Sequence, residues 1–181
     1  MIFEEKYISG RKVYEGKILN VRVDEVTTVG GSSIREIVEH NGAAAAVAIT
    51  DDDQVVMVKQ YRYPTGRVVL EVPAGKIDPD EDDPEGTMIR ELREETGYTA
   101  SHVELLGCIN PSVGYSEEKI YIYLMKGLTP GEQELDSDEA VEVLLIPFDE
   151  LYERAQRGEL EDAKTIAALF FAGRYKNKDQ R

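Results

Sequence analysis

Residues 73–98 read PAGKIDPDEDDPEGTMIRELREETGY: a glycine turn, an acidic loop and one short helix with clustered carboxylates. The loop breaks at Asp83-Pro84, where an Asp able to accept from free backbone N–H groups precedes a Pro suited to the first helical position. A helix is therefore expected from about 84. It stops at Gly97, because glycine tolerates the left-handed conformation that closes a last turn. At about 100° per residue, Met88, Ile89, Leu92 and Thr96 share one arc, and Glu91, Glu94 and Glu95 share the next. The first arc should anchor the helix and the second should present three carboxylates.

Like charges three and four residues apart repel by a few tenths of a kcal/mol each, so a solvated helix would sooner alternate Glu with Lys. A cation in the gap relieves the repulsion. Hard divalent ions, Mg2+ or Mn2+, take oxygen ligands, and Mg2+ usually binds through one or two carboxylates, waters and substrate phosphates. Glu91 and Glu95 at i and i+4 suit that task. The competing reading is a solvated acidic face in which Arg90 and Arg93 serve as salt-bridge partners. The glycine turn, the proline start and the glycine stop weigh against it.

The chain of 181 residues holds one ordinary domain with a core, or such a domain plus a small extension, but not two large domains. A net charge of −15 and a pI near 4.6 argue against a nucleic-acid backbone or an anionic membrane as main partner. A polyanionic substrate would then need metal and a few placed arginines. The single cysteine, Cys108, excludes an internal disulfide, and its place in the apolar run VELLGCI predicts a buried thiol. No apolar run nears a membrane span, and MIFEEKYISG lacks the basic and apolar regions of a signal peptide. A reducing, cytoplasmic setting is expected.

Residues 1–38 alternate as strands, KVYEGKI, LNVRVDEV and SIREIVEH, with a hairpin turn at Val29-Gly30-Gly31-Ser32. His40-Asn41-Gly42 marks a boundary, which divides the chain into an N-terminal β-sheet extension, 1–41, and a main domain, 42–181. From Ala43 the runs AAAAVAIT, QVVMVKQYRY, VVLEVPAG, VELLGCI, KIYIYLM and VEVLLIPF are strand candidates, and Phe148 to Arg157 and Asp162 to Tyr175 are helical. Asp51-Asp52-Asp53 reads as a solvated turn, since consecutive side chains diverge there. The pattern predicts an α/β protein with a mixed sheet held between helices.

Gly75, an acid at 81 or 82, and Arg90-Glu91-Leu92-Arg93-Glu94-Glu95-Thr96-Gly97-Tyr98 resemble the Nudix hydrolase signature: G, five residues, E, seven residues, RE, an aliphatic, any residue, EE, any residue, G and an aliphatic or aromatic. Eight residues, not seven, separate Glu81 from Arg90, which leaves Glu81 and Asp82 competing for the acidic place. Arg35-Glu36-Ile37-Val38-Glu39-His40, Lys59-Gln60-Tyr61-Arg62, Leu70-Glu71-Val72-Pro73-Ala74-Gly75 and Asp162-Ala163-Lys164-Thr165 further resemble the ADP-ribose pyrophosphatase subgroup. That resemblance implies a Nudix-type α/β/α sandwich preceded by a small antiparallel sheet that exchanges across a homodimer. The subgroup usually carries Pro where this chain has Val113.

The resemblance also implies roles. Glu91, Glu95 and the Ala74 carbonyl would hold Mg2+, with Mn2+ as the alternative, and Glu94 would ligate directly or through water. Arg90 would orient the Glu94 carboxylate within the catalytic group. Glu139, in Leu135-Asp136-Ser137-Asp138-Glu139-Ala140-Val141, is the first candidate for general base. Glu118 would contact substrate or metal, and Arg35, Arg62 and Glu71 belong to substrate binding, since a guanidinium fork matches phosphate oxygens. The implied reaction is hydrolysis of ADP-ribose to AMP and ribose 5-phosphate. Alternatives are another nucleoside diphosphate sugar or a dinucleotide such as NADH, or a binding module that senses such ligands without turnover. A sensor would be expected to have lost signature carboxylates or gained a DNA-binding domain, and this chain shows neither.

Overall fold

The computed structural model describes residues 2–79, 83–137 and 139–179. Glu81 and Asp82, rivals for the acidic place in the loop, lie outside them. The residues fall into two compact units: one comprises the chain up to Gly42 together with Asn110–Lys119, the other Ala43–Ile109 and the chain from Ile120 onward.

The first unit is a three-stranded antiparallel meander of β1 (Tyr7–Glu15), β2 (Asn20–Thr28) and β3 (Gly31–Glu39). Thr28 pairs with Gly31, so Val29 and Gly30 form the two-residue turn between β2 and β3. The segment 110–119 lies along β3: the Val38 N–H donates to the Tyr115 carbonyl at 2.7 Å and the Glu117 N–H to the Val38 carbonyl at 3.0 Å. The Arg22 guanidinium fastens it further, reaching Asp24 (2.9 Å), Glu39 (2.9 Å) and Glu117 (2.6 Å). Every residue of β1 is exposed, Tyr7, Ile8, Val13 and Tyr14 among them.

The second unit is built around β4 (Ala43–Ala48), buried at all six positions. Ala43, Ala45 and Val47 face one core, with Phe148 and Leu151 of α2 (Phe148–Gln156) and Leu169 and Ala172 of α3 (Ala163–Asp179). Ala44, Ala46 and Ala48 face a second core, with Met88 and Leu92 of α1 (Pro84–Thr96). A strand covered on both faces reads as a continuous apolar run, because alternate side chains enter different cores. Around it lies the mixed sheet β7-β4-β9-β8, with β7 (Ala74–Lys76) antiparallel and β9 (Ile120–Thr129) parallel to β4, and β8 (Thr99–Ile109) antiparallel to β9. A separate antiparallel sheet, β10-β5-β6, uses β5 (Gln54–Arg62), β6 (Arg67–Glu71) and β10 (Val141–Pro147). Asp51, Asp52 and Asp53 form an exposed turn.

Two side chains depart from expectation. Cys108 is exposed, not buried. A bulge between Leu105 and Gly107 shifts the register of β8 against β9, and beyond it Cys108 takes an outward place. Ile89 is 44% exposed. The buried face of α1 comprises Thr87, Met88, Leu92, Glu95 and Thr96, so the helix is rolled toward its glutamates and away from Ile89.

Candidate metal and catalytic site

The site helix is set by its ends. Asp83 is its N-cap, accepting the Gly86 N–H at 2.9 Å, and Pro84 follows at the first helical position. At the other end Gly97 takes φ 76° and donates to the Arg93 carbonyl at 2.8 Å. The chain after β9 returns to this end: Gln133 Nε2 donates to the Glu95 carbonyl at 2.6 Å and the Glu134 N–H to the Glu94 carbonyl at 3.0 Å. These bonds satisfy carbonyls that a helix C-terminus leaves open. They also fasten the start of the loop that carries Glu139. Gln133 went unread in the sequence, where nothing distinguishes it from a solvated loop residue.

Strand β7 lies at the sheet edge beside α1. The Ala46 N–H donates to the Pro73 carbonyl at 3.0 Å, which makes Ala45 and Ala74 the non-bonded pair of the antiparallel ladder. Ala74 therefore turns both its N–H and its carbonyl to the free edge. Its N–H meets Glu95 Oε2 at 3.0 Å. Next along, a Cβ at Gly75 would overlap the Glu91 carboxyl, so this glycine permits the close approach of α1.

Glu95 is only 5% exposed. Burial above all, and then the charges of Glu91 and Glu139, push its carboxyl up to about 8 against the pull of the Ala74 N–H. Glu91 is also raised, first by burial, then against the pull of Arg90 by Glu94 and Glu139. Arg90 Nη1 bridges Glu91 (3.0 Å) and Glu94 (2.7 Å). Among the described residues no three carboxylate, imidazole or thiol groups form a ready-made metal cage. The donors gathered here are nonetheless all oxygens, two of the carboxylates are desolvated beyond what one arginine offsets, and a backbone carbonyl faces them. That chemistry fits a hard divalent cation.

Glu139 is exposed, its N–H donating to the Asp136 carbonyl at 3.0 Å, and its charge is felt by both Glu91 and Glu95. Arg62 forks onto Glu71 at 2.7 and 3.0 Å, and its charge favours ionised Glu95. Glu71 is buried; desolvation raises its carboxyl, and Arg62 and Lys164 more than offset this, leaving it below the ordinary range. A cavity of about 370 Å³ opens beside the pair, lined by Arg62, Arg67, Glu71, Glu161 and Lys164. Arg35 and Glu118 belong to the first unit. Arg35 pairs with Glu5 (Nε–Oε2 2.9 Å), and Glu118 lies 3.9 Å from His40 Nδ1. Asp162-Ala163-Lys164-Thr165 carries no role that the sequence alone assigns. In the structure Lys164 pairs with Glu71 and, at 3.0 Å, with Asp162.

Residues 40–169 match the NUDIX domain family. The chain is 40% identical over 169 residues to the ADP-ribose pyrophosphatase of Bacillus subtilis (strain 168), covering 92% of this chain and 91% of that one. It is also 40% identical over 171 residues to the methanol dehydrogenase activator of Bacillus methanolicus, covering 93% and 92%. The crystal structure of an ADP compounds hydrolase superposes with a TM-score of 0.84 over 99% of this chain and 97% of that one, at 22% identity, which is a likeness of fold. With Glu91, Glu94, Glu95 and Gly97 standing in the signature's places on α1 and the match running through both cores of the second unit, the chain belongs to the Nudix hydrolase family.

Proposed function

We propose that the protein hydrolyses the pyrophosphate bond of ADP-ribose to AMP and ribose 5-phosphate with the help of a divalent cation, Mg2+ or Mn2+. The observation that carries this is the pair of desolvated carboxylates, Glu91 and Glu95, packed against the free edge at Ala74. The relatives of similar length that bear the name ADP-ribose pyrophosphatase support the choice of substrate. Glu91, Glu95 and the Ala74 carbonyl hold the cation, with Glu94 beside them. When bound, it neutralises the pyrophosphate and lowers the pKa of the attacking water. Arg90 orients Glu91 and Glu94. Glu139 takes the proton from water as its oxygen adds to phosphorus, and the bond from that phosphorus to the bridging oxygen breaks. Arg62, oriented by Glu71, contributes to phosphate binding.

A homodimer completes the reading. The exposed apolar side chains of β1 support it, because a three-stranded sheet with one uncovered face is marginal alone. Arg35 and Glu118 then serve substrate binding, Arg35 at the site of the neighbouring chain. Among the described residues no helix is long and apolar enough to cross a membrane, and the cytoplasm is the proposed compartment. The test is a substrate panel with product analysis: ADP-ribose, GDP-mannose, NADH and a nucleoside triphosphate, each with Mg2+. ADP-ribose is expected to give the highest kcat/KM, with AMP and ribose 5-phosphate as products. Faster turnover of any other member overturns the assignment.

A further inference from the structure

Between β6 and β7 the chain passes through Val72 and Pro73, which lie outside any strand. Pro73 has no N–H, and its carbonyl accepts from Ala46. The Val72 N–H is buried and donates not to backbone but to Thr165 Oγ1 at 2.9 Å, from 93 residues along the chain. Thr165 is wholly buried. Its hydroxyl donates in turn to Asp162 Oδ2 at 2.6 Å, so its proton and a lone pair are both committed. The same Asp162 oxygen accepts the Thr165 N–H at 3.0 Å and Lys164 Nζ at 3.0 Å, and Lys164 also pairs with Glu71. The start of α3 thus grips two successive residues, Glu71 and Val72. Two residues further, Ala74 meets Glu95.

We infer that Thr165, oriented by Asp162, is a positioning residue that sets the Ala74 carbonyl against Glu91 and Glu95 and thereby the affinity of the site for its divalent cation. The inference rests on the metal reading proposed above. A fastening two residues from a ligand acts as an outer partner does in metal sites: it fixes where the ligand oxygen sits, and its loss weakens binding while the ligands remain. Val in place of Thr165 keeps the shape and removes the hydroxyl, leaving the Val72 N–H without its acceptor. The strand entry then loses the fastening on its α3 side and keeps only the Ala46 bond to Pro73 and the Glu95 bond to the Ala74 N–H, which lets the Ala74 carbonyl shift.

The experiment measures Mn2+ binding to the full chain without substrate, by electron paramagnetic resonance of the free ion, alongside kcat at saturating metal. Thr165→Val is expected to weaken Mn2+ about tenfold, with kcat at saturating metal within about threefold of the parent. Thr165→Ser, which keeps the hydroxyl, is expected to restore parental affinity. Glu95→Gln serves as the control for the metal reading. If Glu95→Gln binds Mn2+ as the parent does, the metal reading itself fails and the inference falls with it. If Glu95→Gln loses Mn2+ while Thr165→Val keeps parental affinity, the inference alone is overturned. Should Thr165→Val fail to fold, Asp162→Asn decides: weakened Mn2+ binding in a chain with a cooperative melt supports the inference, and parental affinity overturns it.

Discussion

The two units handle negative charge in opposite ways. In the N-terminal unit each perturbed carboxylate has a protein cation: hydrogen bonds from Arg35 and Arg22 hold Glu5 and Glu39 below the ordinary range. In the larger unit Glu91 and Glu95 are driven above it by burial, and Arg90 offsets only part of the cost at Glu91. Glu71, buried in the same unit, shows that the fold can supply counter-charge where it is used structurally, since Arg62 and Lys164 both reach it. Desolvated carboxylates left short of cations are a configuration that a globular protein tolerates at a site, where a bound ion supplies the missing charge.

Truncation before Gly42 removes all three strands of the first sheet and is expected to abolish both dimerisation and activity. Light scattering that finds a stable, fully active truncated monomer contradicts the dimer proposal. Glu95→Gln and Glu91→Gln should each lower kcat about a hundredfold or more, because one charge of a shared ion site is lost. In chelator at neutral pH the Glu95→Gln protein should melt higher than the parent: with its carboxyl raised to about 8, folded Glu95 must keep a proton that the unfolded chain releases, whereas Gln carries no such cost and still offers an acceptor to the Ala74 N–H. A lower melt would mean that the Glu95 charge is already compensated. Gly75→Ala should cut kcat about tenfold by displacing Glu91, with circular dichroism unchanged; parental kcat would show that the approach of α1 to β7 is immaterial. Arg22→Gln tests the opposite regime. It leaves the buried Asp24 without its cation, which should cost about 1–2 kcal/mol, or roughly 2–8 °C in melting temperature for a chain of this size.

The site helix was readable because its signals are local. Asp83, Pro84 and Gly97 each act within a few residues, and the spacing of Glu91, Glu94 and Glu95 needs no tertiary information. The roll of the helix is tertiary: the cores and strand β7 decide that Glu95 is covered and Ile89 is not, and periodicity defines an arc without saying which edge of it will be packed. Cys108 failed for a related reason. One bulge reverses the parity of every residue beyond it, and composition carries no trace of a bulge. The association of Asn110–Lys119 with the N-terminal sheet depends on Val38 and Arg22, remote in sequence. Thr165 was visible within Asp162-Ala163-Lys164-Thr165 as part of a helix start, yet its bond to Val72 spans 93 residues and could not be read from either end.

We propose that the carboxylates of α1, packed against Ala74, hold the divalent ion on which pyrophosphate hydrolysis depends. The most direct test dialyses the full chain against EDTA, measures AMP formation from ADP-ribose, and then titrates Mg2+ or Mn2+ back. No AMP is expected in chelator, and turnover is expected to return as the ion is restored, with Glu95→Gln staying about a hundredfold or more below the parent at every concentration of Mg2+ tried. Full turnover in excess chelator would contradict it.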